Sequence, residues 1–278
     1  MGTITDKLSY LNSTKTSIKN AIIAKGGTVG DNDTFRDYAT DITNIVSEDT
    51  IQLKALIQGD CENFIIPNGT TSIRRYAFYN YSNPLRIIMP DSVTTLSSQC
   101  FMNCTGLISV TFSNNITNIP TQAFSSCSSL TEITIPNSVT TMEYGAFMGC
   151  SNLVSATLSD NLTIIPMQAF SQCSKLTSIN IPNSVTTIEG SVFSYSNAIT
   201  TINIPSSVTT INSNAFYSCG LTSIYIDQPN NGVSGAPWGA SNATVYWNDG
   251  TKREPSLSDI DGYVFSLILY YLFPYKGH

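Results

Sequence analysis

With 278 residues, 41% of them hydrophobic, the chain has material for a sizeable core. Charged residues are only 12%, the net charge is −6, and the 13 basic residues form no cluster, which argues against a nucleic-acid surface. The one histidine is His278, the final residue, so His-based triads and two-His metal sites are excluded.

Residues 1–48 read as helical. Ile4, Leu8, Leu11, Ile18 and Ile22 follow a four-three spacing broken only by Lys15, which predicts an amphipathic helix stopped at Gly26-Gly27. Asp33 or Thr34 caps a second predicted helix, with Phe35, Tyr38, Ile42 and Ile45 on one face. So short a hairpin has little core of its own and is expected to pack on copies of itself or on another protein. Leu8, Leu11, Ile18, Ile22, Phe35 and Tyr38 are therefore candidate interface residues. A cap folded onto the rest of the chain is the plainer alternative. Residues 1–10 show no apolar core of a secretory signal. Residues 49–63 are expected to form a linker and cap, with Ile51, Leu53, Leu56 and Ile57 covering the first rung of a repeat.

From residue 64 the chain repeats. Phe78, Phe101, Phe124, Phe147, Phe170, Phe193 and Phe216 recur every 23 residues, followed three residues later by Tyr81, Cys104, Cys127, Cys150, Cys173, Ser196 and Cys219. A fixed period of this length signals a solenoid. In residues 130–147 (LTEITIPNSVTTMEYGAF), Leu-x-x-Ile-x-Ile alternates as a half-buried strand, and Pro136-Asn137-Ser138 is turn chemistry. Val139-Thr140-Thr141-Met142 is a second short extended piece, and Phe147 then points inward. One rung cannot bury its apolar side, but stacked copies can. Phe101, Phe124, Phe147, Phe170, Phe193 and Phe216 form the predicted structural core, each ring contributing about 1.5–3 kcal/mol on burial. The predicted fold class is thus a repeat solenoid, mainly β with short strands, over residues 64–247, preceded by the short α-helical segment.

Five cysteines share one repeat position, so neighbours could lie close enough to bridge. Buried free thiols fit better, because Ser196 fills the same slot. A line of thiols does not converge as a zinc site must. No phosphate loop or Gly-x-Ser-x-Gly occurs, and Glu132, Glu143, Asp160 and Glu189 lack recurring partner groups beside them. No catalytic residue, metal or cofactor is expected. The outward strand positions are hydroxyls and amides with scarcely a charge, which makes Thr131, Thr134, Thr157, Thr177, Asn180, Thr200, Asn203 and Tyr225 the candidate binding face. The alternative is that Thr merely suits an exposed strand.

After residue 227 the repeat decays. Thr244-Val245-Tyr246-Trp247 reads as a last strand, and Trp238 and Trp247 as a lid on the core or as binding residues. Residues 248–278 form a tail whose run YVFSLILYYLF (263–273) is too short to span a bilayer. Capping of the chain itself, contact with another subunit through Leu267, Tyr270 and Phe273, and membrane insertion all remain open for it.

Residues 176–193 (LTSINIPNSVTTIEGSVF) resemble the BspA-type leucine-rich repeat, and the likeness extends over more than half the chain. Local departures are Pro84-Leu85, Ser113 and Ser159 in place of the turn proline, and a loop one residue short between Cys219 and Leu221. The resemblance implies a surface binding module, often an adhesin. Lys7-Leu8, Lys15, Ile18-Lys19, Ala21-Ile22, Lys25-Gly26, Asp33-Thr34-Phe35-Arg36, Tyr38-Ala39 and Ile42 resemble the N-terminal module of some bacteriophage tail-associated structural proteins. That likeness implies attachment to other virion proteins or to sister chains, with a host-surface glycan or protein as the partner. The expected location is a phage tail, reached by lysis without a secretory signal, or a bacterial cell surface. A structural spacer within a particle is the third reading.

Overall fold

The computed structural model describes residues 63–256 apart from 231. The chain divides into two compact units, Met1–Pro67 and Asn68–His278. Of the first, residues 63–67 are described and carry the strand Asn63–Ile65. The predicted N-terminal helices, most of the linker and the apolar tail lie outside the described residues.

The second unit is a β-solenoid in which no helix occurs among the described residues. Its longer strands are Leu85–Ile88, Leu107–Thr111, Glu132–Thr134, Ser155–Thr157, Ser178–Asn180, Thr201–Ile204, Ser223–Ile226 and Thr244–Trp247. Two-residue strands form a second series at Ser72–Ile73, Thr95–Leu96, Asn118–Ile119, Thr141–Met142, Ile164–Ile165, Thr187–Ile188 and Thr210–Ile211. Pairing within each series is parallel, and residues of like repeat position face each other, as in Ser155↔Ser178 and Ile165↔Ile188. The proline-led turn between the two strands closes with Val139 N–H donating to the Pro136 carbonyl at 2.9 Å.

A third side, the turn around each Phe, is bonded from rung to rung as well. Gln122, Phe124 and Ser126 donate their N–H groups to the carbonyls of Tyr144, Ala146 and Met148 at 2.9, 2.9 and 2.7 Å. This requires the backbone to alternate in hand. The residues two before and two after the Phe have positive φ, as at Gln99 and Asn103 (62° and 56°) or Gln122 and Ser126 (52° and 60°). Gly145 and Gly149 occupy the same two positions in their rung, where only glycine adopts positive φ without steric cost. Between them, Ala123 and Ser125 close local turns onto Pro120 and Gln122.

Because successive turns superimpose by translation, the rings stack. Phe78 through Phe216 follow one another at centroid separations of 4.8 to 6.0 Å with ring planes within 11° of parallel. Phe101, Phe124, Phe147, Phe170, Phe193 and Phe216 are fully buried. Such pairs add about 0.5–1.5 kcal/mol each beyond the area they bury. Leu107, Leu130, Leu153 and Leu176 line a parallel inner column, while Ile179 is only half-buried. Trp238 ends the ring column, meeting Phe216 edge-on at 6.3 Å and accepting its N–H at 3.1 Å. Trp247 is likewise buried, so both tryptophans close the core. Lys252–Arg253 pairs antiparallel with the last long strand and covers its edge.

The departures from the repeat each have a physical reason. Where serine replaces proline, it caps the turn: Ser159 Oγ donates to the Val139 carbonyl at 2.6 Å and accepts the Asn161 N–H at 3.1 Å. The early shift at Pro84-Leu85 appears as a bulge, with Leu85 opposite Leu107 but Arg86 opposite Ser109. The short loop depends on Gly220, where an added Cβ would lie 2.0 Å from the Asn197 carbonyl oxygen.

Replacing Phe147 with Ala is expected to cost about 3–5 kcal/mol in urea denaturation. Gly145→Ala, which meets no close atom but forces a left-handed alanine, is expected to cost about 1–2 kcal/mol. Gly145→Asn is expected to cost less, since Asn214 holds the equivalent position.

Candidate binding face

The longer strands present every second residue outward, and the structure divides the candidate face into two lines. Thr134, Thr157, Asn180, Asn203 and Tyr225 fall in one column, with Thr134↔Thr157↔Asn180 and Asn203↔Tyr225↔Tyr246 in register. All five candidates in it are exposed. Thr131, Thr177 and Thr200 precede their strands and sit at the corner of the rung. Part of their polarity serves the ladder: Val154 N–H donates to the Thr131 carbonyl at 2.8 Å, and the Thr177 hydroxyl to the Val154 carbonyl at 3.3 Å. The column is exposed along its length, whereas the corner is partly tied into the ladder. Leu8, Leu11, Ile18, Ile22, Phe35, Tyr38, Leu267, Tyr270 and Phe273 lie outside the described residues.

Toward the C-terminal end the column changes character. Amides of Asn180 and Asn203 give way to Tyr225 and Tyr246, whose rings stack at 4.9 Å and 13°. A groove of about 440 Å³ opens there, also lined by Asn183 and Asn248. Sequence reasoning found Asn180, Asn203 and Tyr225 but not Tyr246, Asn183 or Asn248. Tyr246 could have been found by extending the alternation of the repeat through the last strand.

Groups that elsewhere do chemistry are engaged in stacking here. The thiols of Cys127, Cys150 and Cys173 donate to the carbonyls of Phe101, Phe124 and Phe147 in the preceding rung at 3.1, 3.1 and 3.3 Å. Ser196 makes the same bond to Phe170 at 2.8 Å, which is why serine can replace cysteine in that slot. All the described cysteines are free. Burial pushes Cys100 and Cys104 up to about 12 and Cys219 to about 11, and lifts Cys127 and Cys173 well above the ordinary thiol value.

The carboxylates are also structural. Glu143 and Glu189 share one repeat position, four residues before their Phe, and each reaches back to the rung before. Glu143 accepts from Thr121 N–H at 2.9 Å, Thr121 Oγ1 at 2.8 Å and Asn118 Nδ2 at 2.8 Å, and Glu189 from Met167 N–H at 2.7 Å. Partial burial works against the charged form of Glu143, but these hydrogen bonds outweigh it and hold the carboxyl below its ordinary value. Asp160 and Asn137 bond each other across neighbouring turns, Asp160 N–H donating to Asn137 Oδ1 at 2.9 Å. Among the described residues no three His, Cys, Asp or Glu side chains converge on one point as a metal site would require.

Parallel strands in register, a leucine column and a ring column define a leucine-rich-repeat solenoid. The profile described as BspA type Leucine rich repeat region matches residues 49–177 and 123–235 in six copies, and the chain belongs to that family. Among solved structures it is similar to a leucine rich cell surface protein of Faecalibacterium prausnitzii, at 32% identity and a TM-score of 0.56, over 70% of this chain and 54% of that one. A leucine-rich repeat protein of Bacteroides ovatus is similar at 22% identity and a TM-score of 0.49, over 66% of this chain and 63% of that one. The chain spans less than two thirds of either structure. No curated protein matches it. Among the described residues no helix is long and apolar enough to cross a membrane.

The buried thiols set an alkaline limit on stability. The fold keeps Cys127 and Cys173 protonated while the unfolded chain releases those protons above about pH 8.5, so their contribution is full below that pH and is lost as pH rises. Each is expected to cost up to about 1.4 kcal/mol for each pH unit above 8.5. Urea midpoints at pH 7 and 9.5 should fall more steeply for the wild type than for Cys127→Ser/Cys173→Ser, which retains the donor that Ser196 exemplifies.

Proposed function

We propose that the chain is a non-enzymatic binding protein that grips its partner with the outward column of its longer strands, as a tail-associated component of a bacteriophage virion. The observation that carries this reading is the column itself: Thr134, Thr157, Asn180, Asn203 and Tyr225 are exposed and uncharged, on a rigid ladder. A hydrogen bond of this kind contributes only about 0.5–1.5 kcal/mol, so grip comes from repetition along the ladder and from several copies of the chain. Residues 1–48, on their resemblance to phage tail-associated proteins, attach the chain to other virion proteins or to its own copies. The partner on the far side is a host-surface glycan or protein. The carboxylates of Glu143 and Glu189 hold neighbouring rungs together, which supports a role without catalysis.

A second placement, as an adhesin on a bacterial cell surface, is favoured by the likeness at 32% identity to the Faecalibacterium prausnitzii cell surface protein. Immunogold labelling of the source strain with antibody against the solenoid separates the two. Label on the tails of particles released by prophage induction is expected. Label confined to the envelope of uninduced cells would favour the adhesin. Purified full chain is expected to release no reducing ends from polysaccharides, and release of them would overturn the non-enzymatic reading.

A further inference from the structure

The groove beside Tyr225 has a chemistry of its own. Along the outward column Asn203, Tyr225 and Tyr246 are consecutive in register, and the two tyrosine rings stack at 4.9 Å. Tyr246 covers one face of Tyr225. On its other side Tyr225 has the shorter Asn203 as its neighbour in register, and Tyr225 remains 44% exposed. The column therefore has a step, with an amide floor and an aromatic riser.

The floor is free to bind. Asn180, Asn183 and Asn203 are exposed, and no side-chain hydrogen bond engages their amides within the described residues. Each amide offers both a donor and an acceptor. Among the described residues one charged group lines the groove, Asp227, and Asn248 Nδ2 donates to it at 3.3 Å. Among the described residues no lysine or arginine lines it to offer a carboxylate, sulfate or phosphate a counter-charge.

We propose that this step is a binding site for a neutral glycan, seated with the apolar C–H face of a pyranose against Tyr225 and its hydroxyls on the amides of Asn180, Asn183 and Asn203. Stacking on an aromatic ring supplies contact at low entropic cost, and the paired donors and acceptors of amides match adjacent hydroxyls. The site rests on the reading of the strand column as a gripping surface, and it narrows the partner to an uncharged carbohydrate.

Native electrophoresis of the full chain through gels containing yeast mannan, glycogen, hydroxyethylcellulose or galactomannan, with alginate as the anionic control, tests it. Retardation by at least one neutral polysaccharide and none by alginate is expected. Tyr225→Ala and Asn203→Ala are each expected to weaken that retardation at least tenfold with unchanged melting temperature. Thr141→Ala and Thr210→Ala, exposed on the two-residue strands and outside the column, are expected to leave it unchanged. No retardation in any neutral gel, equal retardation by alginate, or an unaffected Tyr225→Ala variant would each overturn the proposal. If Thr134→Ala and Thr157→Ala weaken binding while Tyr225→Ala does not, the column still grips but the step is not the site. If no neutral gel retards the chain although labelled full chain binds bacterial cells, the glycan assignment fails alone. If it binds neither polysaccharide nor cells, the gripping surface fails with it.

Discussion

Hydrogen bonds between rungs run along three sides of this solenoid, and its other features derive from that. Two of the sides are ordinary parallel ladders. The third is the Phe-centred turn, whose N–H groups reach the next rung only because residues on either side of the ring are left-handed. With all three sides tied, each rung is a translated copy of its neighbour, and any repeat position becomes a straight column. Ring stacking, the thiol line and the outward column are all consequences of that translation. A side chain here contributes through its equivalents above and below more than through its neighbours in sequence.

Much of this was legible in the sequence because the period is fixed. The Phe and Leu columns can be read directly, since apolar residues recurring at one spacing have nowhere else to go once rungs stack. The left-handed pair was less visible. Gly145 and Gly149 signal it, and Asn at three of the positions is compatible with it, but Gln, Ser and Tyr at the others do not announce positive φ. Glu143 and Glu189 illustrate a second limit. Their role depends on reaching a backbone N–H in the preceding rung, and nothing about a glutamate in sequence reveals which N–H lacks a partner. Of the outward residues, Thr134 and Thr177 looked alike in sequence. Only the position of the strand start separates a column residue from a corner residue.

Polarity in this solenoid is sorted by direction. Inward and between rungs, the thiols of Cys127, Cys150 and Cys173, the hydroxyls of Ser159 and Ser196 and the carboxylates of Glu143 and Glu189 are matched to backbone groups, and the thiols are buried and hard to ionise. Outward along the longer strands, hydroxyls and amides are left facing water. The chain thus has rigid, uncharged polarity in one place, and only at Tyr225 and Tyr246 does an aromatic surface join it.

The alternating hand of the Phe turn also gives the stack a chemical arrow. Every such turn donates forward, from Phe78 to Cys100 and on to Phe216, which finds Trp238. An internal duplication of one 23-residue unit would therefore splice in without mismatch, its donors meeting the acceptors of the following unit. The length of the stack is thus separable from the make-up of its last rungs, where Trp238 ends the ring column.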